Sequence, residues 1–177
     1  MAGDGWDEAA AGRAGPADAG GDDRVPGRPG ADRGWLRAAV ELSRRCPPSE
    51  SAFSVGAILV SPAGDVIASG FSRERDPHDH AEEVALAKAG EAALTGATLY
   101  SSLEPCAARA SRPRPCADLI IAAGLRRVVI AWLEPPVFVP GGGAARLRAA
   151  GATVIEIPGL AAAARAVNAH LLPSAAS

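Results

Sequence analysis

The stretch ATLYSSLEPCAARASRPRPCADLIIAAG, residues 97–124, contains a strand, a loop and a helix in one continuous run. Residues 97–103 predict a strand, and residues 116–124 predict a helix that ends near Gly124, because glycine is common just after a helix. Two cysteines, each preceded by proline, bracket a loop of nine residues that contains three arginines. A strand that leads through a polar loop into a helix is typical of α/β proteins.

The rest of the chain continues this alternation of strands and helices in both directions. Residues 62–65, PAGD, predict a turn that joins two strands into a hairpin. The sequence predicts further helices over 32–46, 80–94, 142–151 and 160–172, and further strands over 52–61, 66–72, 126–133 and 153–157. We therefore expect an α/β fold, a three-layer α-β-α sandwich with a mixed sheet of about five strands.

The N-terminal segment differs in composition from the rest of the chain. Residues 1–31 are rich in Gly, Ala, Asp and Pro without an apolar period, so they predict a disordered tail. Residues 32–173 are the predicted domain, and residues 174–177 a disordered end. A length of 177 residues suits one domain of ordinary size.

Charge and composition exclude several classes of function. The formal net charge is −2, and neither Arg nor Lys forms a long block, which argues against binding to duplex nucleic acid or an anionic membrane. No apolar run is long enough to span a bilayer, and the N-terminus lacks the features of a signal peptide, so we expect a cytoplasmic protein. Three cysteines, an odd number, do not make a disulfide framework and favour metal binding or chemistry.

The chemistry-bearing residues follow successive predicted strands. His80 and Glu82 open the helix after strand 66–72, Cys106 follows the strand that ends at residue 103, and Cys116 opens the next helix. We expect both cysteines at helix starts, at the edge where open α/β sheets bind ligands. One imidazole and two thiolates form a three-ligand Zn²⁺ set, which leaves a fourth tetrahedral position for water and indicates a catalytic site.

Glu82 is the candidate proton shuttle. Its position two residues after His80 lets the carboxylate reach a metal-held water, accept its proton and return it to the substrate nitrogen and the leaving amine. The alternative is that Glu82 only completes a capping box with Asp79 at the start of the helix. His78 competes with His80 as the metal ligand, but only His80 stands two residues before a glutamate within the helix.

HAE followed by PC matches the signature of zinc deaminases, although nine residues separate the two cysteines instead of two. The run GATLYSSLEPC…RPRPC, with HAEEVAL upstream, resembles the deaminase domain of bacterial riboflavin biosynthesis, in the cytidine-deaminase-like superfamily. The likeness covers about residues 50–172. It implies hydrolytic deamination of 2,5-diamino-6-ribosylamino-4(3H)-pyrimidinone 5′-phosphate, with His80, Cys106 and Cys116 as zinc ligands and Glu82 as the shuttle.

The resemblance also implies a substrate contact. Arg112, four residues before the second cysteine, matches the family's basic residue and would bind the substrate through its phosphate, with Arg109 and Arg114 as further candidates. The alternative for these arginines is an exposed loop face. The family's asparagine before the first strand and its loop histidine are missing, and residues 51–57, SAFSVGA, resemble cytidine deaminases instead.

Several alternatives remain open from the sequence. Within the same chemistry, the substrate could be a cytidine-type nucleoside or nucleotide, whereas a nucleic-acid deaminase is disfavoured by the near-neutral charge. From other classes, the chain could be a non-catalytic zinc-stabilised binding module or carry a Cys106/Cys116 redox pair. Similarity to the family further implies a homo-oligomer, a dimer or tetramer. The reductase domain that usually follows in the family is missing here, so we expect a separately encoded reductase for the next step.

Overall fold

The computed structural model describes residues 24–90, 94–138 and 141–172. The described helices are α1 (Pro29–Ser43), α2 (Ala81–Ala89), α3 (Cys116–Ala122), α4 (Gly143–Ala149) and α5 (Ala161–Val167), with short 3-10 turns at Pro158–Leu160 and Ala169–Leu171. The described strands are β1 (Gly56–Val60), β2 (Val66–Phe71), β3 (Thr98–Ser101), β4 (Arg127–Ile130) and β5 (Thr153–Glu156).

The five described strands form one mixed sheet in the order β2-β1-β3-β4-β5. β1 pairs antiparallel with both β2 and β3, and β4 pairs parallel with both β3 and β5. The central strands β1 and β3 are buried along their whole length, as expected for a sheet that is covered on both faces. The predicted α/β class and the mixed sheet of five strands are confirmed.

Two glycines show that α1 and α2 lie on opposite faces of the sheet. Ala57 pairs with Gly70, so these two residues share a face, and the neighbouring Gly56 points to the other face. A Cβ at Gly56 would lie 2.2 Å from the carbonyl oxygen of Ala39 in α1, and a Cβ at Gly70 would lie 2.6 Å from that of Ala81 in α2. Only glycine allows these helices to approach so closely, and the result is the predicted three-layer arrangement.

The domain begins earlier than the sequence predicted. α1 starts at Pro29, the helix position that proline favours, and not at Asp32. Ala31 is buried, and the indole Nε1 of Trp35 donates a hydrogen bond of 2.8 Å to the carbonyl oxygen of Arg24. Arg24 and Ala31 therefore contact the domain, and α1 includes the end of the segment that was assigned to the disordered tail. The remaining residues of that tail, and the end assigned to 174–177, lie outside the described residues.

Strand direction brings four loops to one edge of the sheet. Gly56 at the start of β1 pairs with Phe71 at the end of β2, while Ala57 pairs with Ser101 at the end of β3. Ser101 in turn pairs with Ile130 at the end of β4. The segments before β1 and after β2, β3 and β4 therefore meet at this edge, where the sequence places the candidate site residues.

Among the described residues, no helix combines the length and apolar character needed to cross a membrane.

Candidate active site

His80, Cys106 and Cys116 converge at this edge of the sheet. The Sγ atoms of Cys106 and Cys116 lie 3.5 and 3.4 Å from Nδ1 of His80, and the three ligand atoms lie within 4.8 Å of one another. His80 is the N-cap residue of α2, and Cys116 is the first residue of α3. The expectation that Cys106 also starts a helix is wrong, because it lies in the loop between β3 and α3.

The distances in this group suit zinc. Tetrahedral zinc with ordinary Zn–S and Zn–N bond lengths separates a ligand nitrogen from a ligand sulfur by about 3.6 Å. The two observed separations are close to this value. Within the part of the chain that the structure describes, no fourth His, Cys, Asp or Glu joins the group. The donor set therefore fits a zinc site that keeps one coordination position open.

The two thiols are buried, and their surroundings shift their pKa values in opposite directions. The backbone N–H of Cys116 donates a hydrogen bond of 3.3 Å to Sγ of Cys106. A hydrogen bond from the Cys116 thiol outweighs the effect of burial and, with the help of His80, lowers the pKa of Cys106 to about 4. The same hydrogen bond and burial raise the pKa of Cys116. A lowered pKa favours the thiolate of Cys106, the form that binds metal.

Glu82 is a buried carboxyl group beside this cluster. It is only 3% exposed, and Oγ of Ser101 donates a hydrogen bond of 2.7 Å to its Oε1. Burial, the dominant cause, raises the pKa of Glu82 above its ordinary value, against the opposing effects of His80 and Ser101. A buried carboxyl with a raised pKa is suited to carry a proton during catalysis.

The predicted capping box of Asp79 and Glu82 is wrong. The N-cap residue of α2 is His80, and no side chain caps that helix. Asp79 instead accepts hydrogen bonds from the backbone N–H groups of Arg75 and Asp76 within the preceding turn. The carboxyl group of Glu82 is therefore not used in a helix cap and is available to the candidate active site.

A cavity of about 540 Å³ opens onto the cluster. Its walls come from the loops at the sheet edge, within residues 48–55, 72–82 and 103–111, together with Glu134 and Phe138. His80, Glu82 and Cys106 all line it. This volume is in the range of small-molecule sites.

The three arginines of the cysteine loop point to partners within the protein. Arg109 lines the cavity, and its side chain is only 3% exposed and donates to Glu83 and to the carbonyl oxygen of His78. Arg112 donates to two carboxylates and is not among the lining residues, and Arg114 donates to a backbone carbonyl oxygen. The substrate contact assigned to Arg112 stays a prediction.

Arg73 and Asn168 fix the cavity wall that precedes β1, and neither was predicted from the sequence to do so. Arg73 has a φ of 62°, and its five N–H groups contact the carbonyl oxygens of Pro47, Ala52 and Phe53 and the hydroxyl of Ser54. The buried side chain of Asn168 pairs with both backbone groups of Ser54, at 2.7 and 3.1 Å. Their roles were not predicted, because their partners lie far away in the chain.

Two glutamates and two aromatic rings complete the cavity near β4. Glu104 accepts hydrogen bonds from the backbone N–H groups of Glu134 and Ala144, which fixes the loop after β4. Oε2 of Glu134 is buried without a hydrogen-bond partner, and burial, followed by neighbouring negative charge, raises its pKa to about 8. The rings of Phe53 and Phe138 pack edge to face, 5.1 Å apart. The position of Glu134 after a strand was the one available sequence signal.

Zinc-dependent nucleobase deaminases carry H-x-E on one helix and P-C at the metal, with the glutamate free of the metal. This chain places both motifs at one edge of a mixed α/β sheet, next to a cavity of small-molecule size. Fold and site together define a domain of the hydrolytic deaminase class.

Comparison with known proteins identifies the family. Residues 30–132 match the cytidine and deoxycytidylate deaminase zinc-binding region, and the chain belongs to this family. The diaminohydroxyphosphoribosylamino-pyrimidine deaminase of Schizosaccharomyces pombe is 40% identical over 126 residues, which cover 69% of this chain and 31% of that protein. The riboflavin biosynthesis protein RibD of Aquifex aeolicus is 40% identical over 124 residues, which cover 70% of this chain and 34% of that protein.

A solved structure agrees with these relatives. RibD of Acinetobacter baumannii superposes with a TM-score of 0.67 at 34% identity, covering 80% of this chain and 39% of that one. The resemblance to riboflavin-biosynthesis deaminases stated from the motifs is confirmed. The chain spans about a third of the length of the curated relatives it matches.

Proposed function

We propose that this chain is a zinc-dependent hydrolytic deaminase that acts on 2,5-diamino-6-ribosylamino-4(3H)-pyrimidinone 5′-phosphate and releases ammonia. The observation that carries the proposal is the cluster of His80, Cys106 and Cys116 at zinc-like spacing, beside the buried Glu82 in one cavity. Similarity to riboflavin-biosynthesis deaminases supports the choice of substrate.

In this proposal His80, Cys106 and Cys116 hold the metal. Bound zinc supplies Lewis-acid chemistry that makes water a nucleophile near neutral pH. Glu82 accepts one proton from the water as its oxygen adds to the carbon that bears the amine, and passes that proton to the ring nitrogen. It then takes the proton of the added hydroxyl and gives it to the leaving amine. The carbon–nitrogen bond then breaks and ammonia leaves. Ser101 holds Oε1 of Glu82 in place during these transfers.

The test is an ammonia-release assay on zinc-loaded protein with the proposed substrate, cytidine and deoxycytidine monophosphate. We expect turnover of the pyrimidinone phosphate. Turnover of cytidine alone would overturn the substrate assignment. The Glu82→Gln variant tests the mechanism, because the proposal requires lost activity with the zinc content retained.

A cytidine-type substrate is the second candidate. Residues 51–57 resemble the corresponding segment of cytidine deaminases, and Phe53 of this segment lines the cavity and packs on Phe138. The same three-substrate assay compares the two candidates directly.

The remaining predictions are tested by simple measurements. A closed structural zinc site needs four protein ligands, and the described residues supply three, which favours catalysis over a binding module. Cys106 and Cys116 are free cysteines in the structure, and metal analysis of the purified protein separates a zinc pair from a redox pair. The homo-oligomer, the separately encoded reductase and the cytoplasmic location stay predictions, of which light scattering tests the first.

A further inference from the structure

We propose that Arg109 and Arg112 are positioning residues that clamp the segment carrying His80 and Glu82 onto the loop carrying the two cysteines. The inference rests on the proposed zinc site and adds the interactions that bring its two halves together. It gives the arginine-rich loop an internal role instead of leaving it as an exposed surface or a receptor for phosphate.

Arg109 contacts the metal-ligand segment on both sides of His80. Its Nη2 donates a hydrogen bond of 2.6 Å to the carbonyl oxygen of His78, and its Nη1 pairs with Oε2 of Glu83 at 3.0 Å. The side chain is only 3% exposed, so solvent screens this ion pair little. Nε of Arg109 also donates to Ser111 within its own loop. One buried guanidinium therefore joins the cysteine loop to the backbone before His80 and to the first turn of α2.

Arg112 makes a second connection to the same segment. Its Nη2 lies 3.3 Å from carboxylate oxygens of both Asp76 and Asp79, and its Nε lies 3.3 Å from Oε1 of Glu83. Asp79 is buried and directly precedes His80. Glu83 thus forms an ion pair with each of the two arginines, through a different carboxylate oxygen for each. The two guanidinium groups and three carboxylates form one network that spans the gap between the metal-ligand segments.

The loop needs these anchors because it has little regular structure of its own. Residues 107–115 contain no helix or strand. On its far side, Arg146 of α4 donates to the carbonyl oxygen of Ala107. Without the clamp, the backbone between Cys106 and Cys116 would be free to move away from His80, and the three ligands would be less well preorganised for a metal.

The network also bears on substrate recognition. The cluster contains the three carboxylates of Asp76, Asp79 and Glu83. Arg75 also pairs with Asp79, so these acids balance the charge of three arginines. A phosphate approaching these arginines would meet guanidinium groups whose charge is already balanced. We therefore expect the two side chains to affect metal binding, and to affect phosphorylated and unphosphorylated substrates equally.

The direct test measures zinc affinity by competition with a chromophoric chelator. Arg109→Gln is expected to weaken zinc binding about tenfold or more, the usual effect of removing groups that orient metal ligands. Arg112→Gln is expected to have a smaller effect of the same sign, and Arg109→Lys, which keeps the charge but only part of the geometry, an intermediate one. Arg126→Gln is the matched control, because that exposed side chain donates to the carbonyl oxygen of Ala150, between α4 and β5.

Cobalt provides a readout of geometry that does not depend on turnover. In Co²⁺-loaded protein, Arg109→Gln is expected to shift the d–d bands and the thiolate charge-transfer band, whereas Arg126→Gln leaves them unchanged. The thermal unfolding of the metal-free variants shows whether each one folds. If Arg109→Gln does not fold, Arg109→Lys and Arg112→Gln carry the same test.

Two results would contradict the proposed positioning role of Arg109 and Arg112. One is unchanged zinc affinity with an unchanged cobalt spectrum in folded Arg109→Gln and Arg112→Gln. The other is a KM that rises selectively for the phosphorylated substrate over its dephosphorylated form while zinc affinity stays constant, which would make the arginines phosphate receptors. If the wild-type protein releases no ammonia, the proposed function fails, yet the zinc and cobalt measurements still decide the clamp.

Discussion

Two buried carboxylates lie on opposite sides of β3, and consecutive residues of that strand contact them. Tyr100 donates a hydrogen bond of 2.7 Å to Asp32 on the side of α1, and Ser101 donates one of 2.7 Å to Glu82 on the side of α2. Both acids are nearly inaccessible, at 5% and 3% exposure. With similar solvent exposure but different surroundings, the pKa values of these two groups shift in opposite directions.

Asp32 accepts several hydrogen bonds that stabilise its ionised form. Besides Tyr100, it accepts two hydrogen bonds from the guanidinium of Arg127, at 3.0 and 2.6 Å, and one from the backbone N–H of Gly27. Burial alone would raise the pKa of Asp32, but these hydrogen bonds outweigh burial and lower it. This group joins α1 to β3 and β4 and serves stability.

Glu82 lacks such support, and its pKa is raised by burial. Its side chain faces the cavity next to His80 and Cys106 instead of a guanidinium. The comparison shows that burial does not by itself indicate a functional acid. What distinguishes Glu82 is that the protein buries it with few donors at an open cavity.

The largest expected effect follows from removing the proton carrier. Glu82→Gln keeps the shape and the contact with Ser101 but cannot shuttle a proton, so kcat/KM for ammonia release should fall by about 10²–10⁴-fold. The zinc content and the free energy of unfolding should change little. Glu41→Gln, on the exposed face of α1, is the control. Retained activity in Glu82→Gln would remove Glu82 from the mechanism.

The converse substitution on the other side of β3 should affect stability and leave catalysis intact. Asp32→Asn leaves the half-buried Arg127 without its carboxylate, and breaking such a pair costs about 3 kcal/mol or more in the free energy of unfolding. Urea denaturation measures this loss. Folded Asp32→Asn should keep the wild-type kcat/KM and zinc content, and a loss of activity without a loss of stability would contradict the separation of roles.

The site was more predictable than the interactions that support it. His80, Glu82, Cys106 and Cys116 were found from the sequence because each adjoins the end of a strand or the start of a helix in a short motif. The metal-ligand role itself stays a proposal. Asp32 was read only as a residue near a helix start, because its partners Tyr100 and Arg127 lie 68 and 95 residues away.

The errors have a similar physical origin. Asp79 was assigned to a cap because its spacing from Glu82 fits one, yet the preceding turn and Arg112 bind its carboxylate instead. The contacts of Arg73 and Asn168 were not predicted, because they form only when distant segments meet. Alternation of strands and helices predicted the α/β sheet correctly, since that pattern depends on local periodicity.

The pH dependence of stability gives a further test of the role of Asp32. Because the pKa of Asp32 is lowered in the folded state, its stabilising contribution is present above the unfolded value of 3.8 and is lost as the pH falls through the folded value. The gap in unfolding free energy between the wild type and Asp32→Asn should therefore shrink below about pH 4, by about 1.4 kcal/mol for each unit by which folding lowers the pKa. Urea titrations at several pH values measure the gap. A gap that is constant down to pH 2 would mean that folding does not lower the pKa of Asp32.

The smallest effects come from deleting the two hydroxyl groups of β3 one at a time. Tyr100→Phe removes one of several donors to Asp32, so it should cost about 1 kcal/mol in unfolding free energy and leave kcat/KM unchanged. Ser101→Ala removes the side-chain hydrogen bond that orients Glu82, so it should lower kcat/KM about fivefold, which is about 1 kcal/mol of transition-state stabilisation. Neighbouring residues of one strand would then affect different properties by the same energy. Equal losses of activity in both variants would show instead that β3 couples its two faces, and that the site depends on the Asp32 cluster after all.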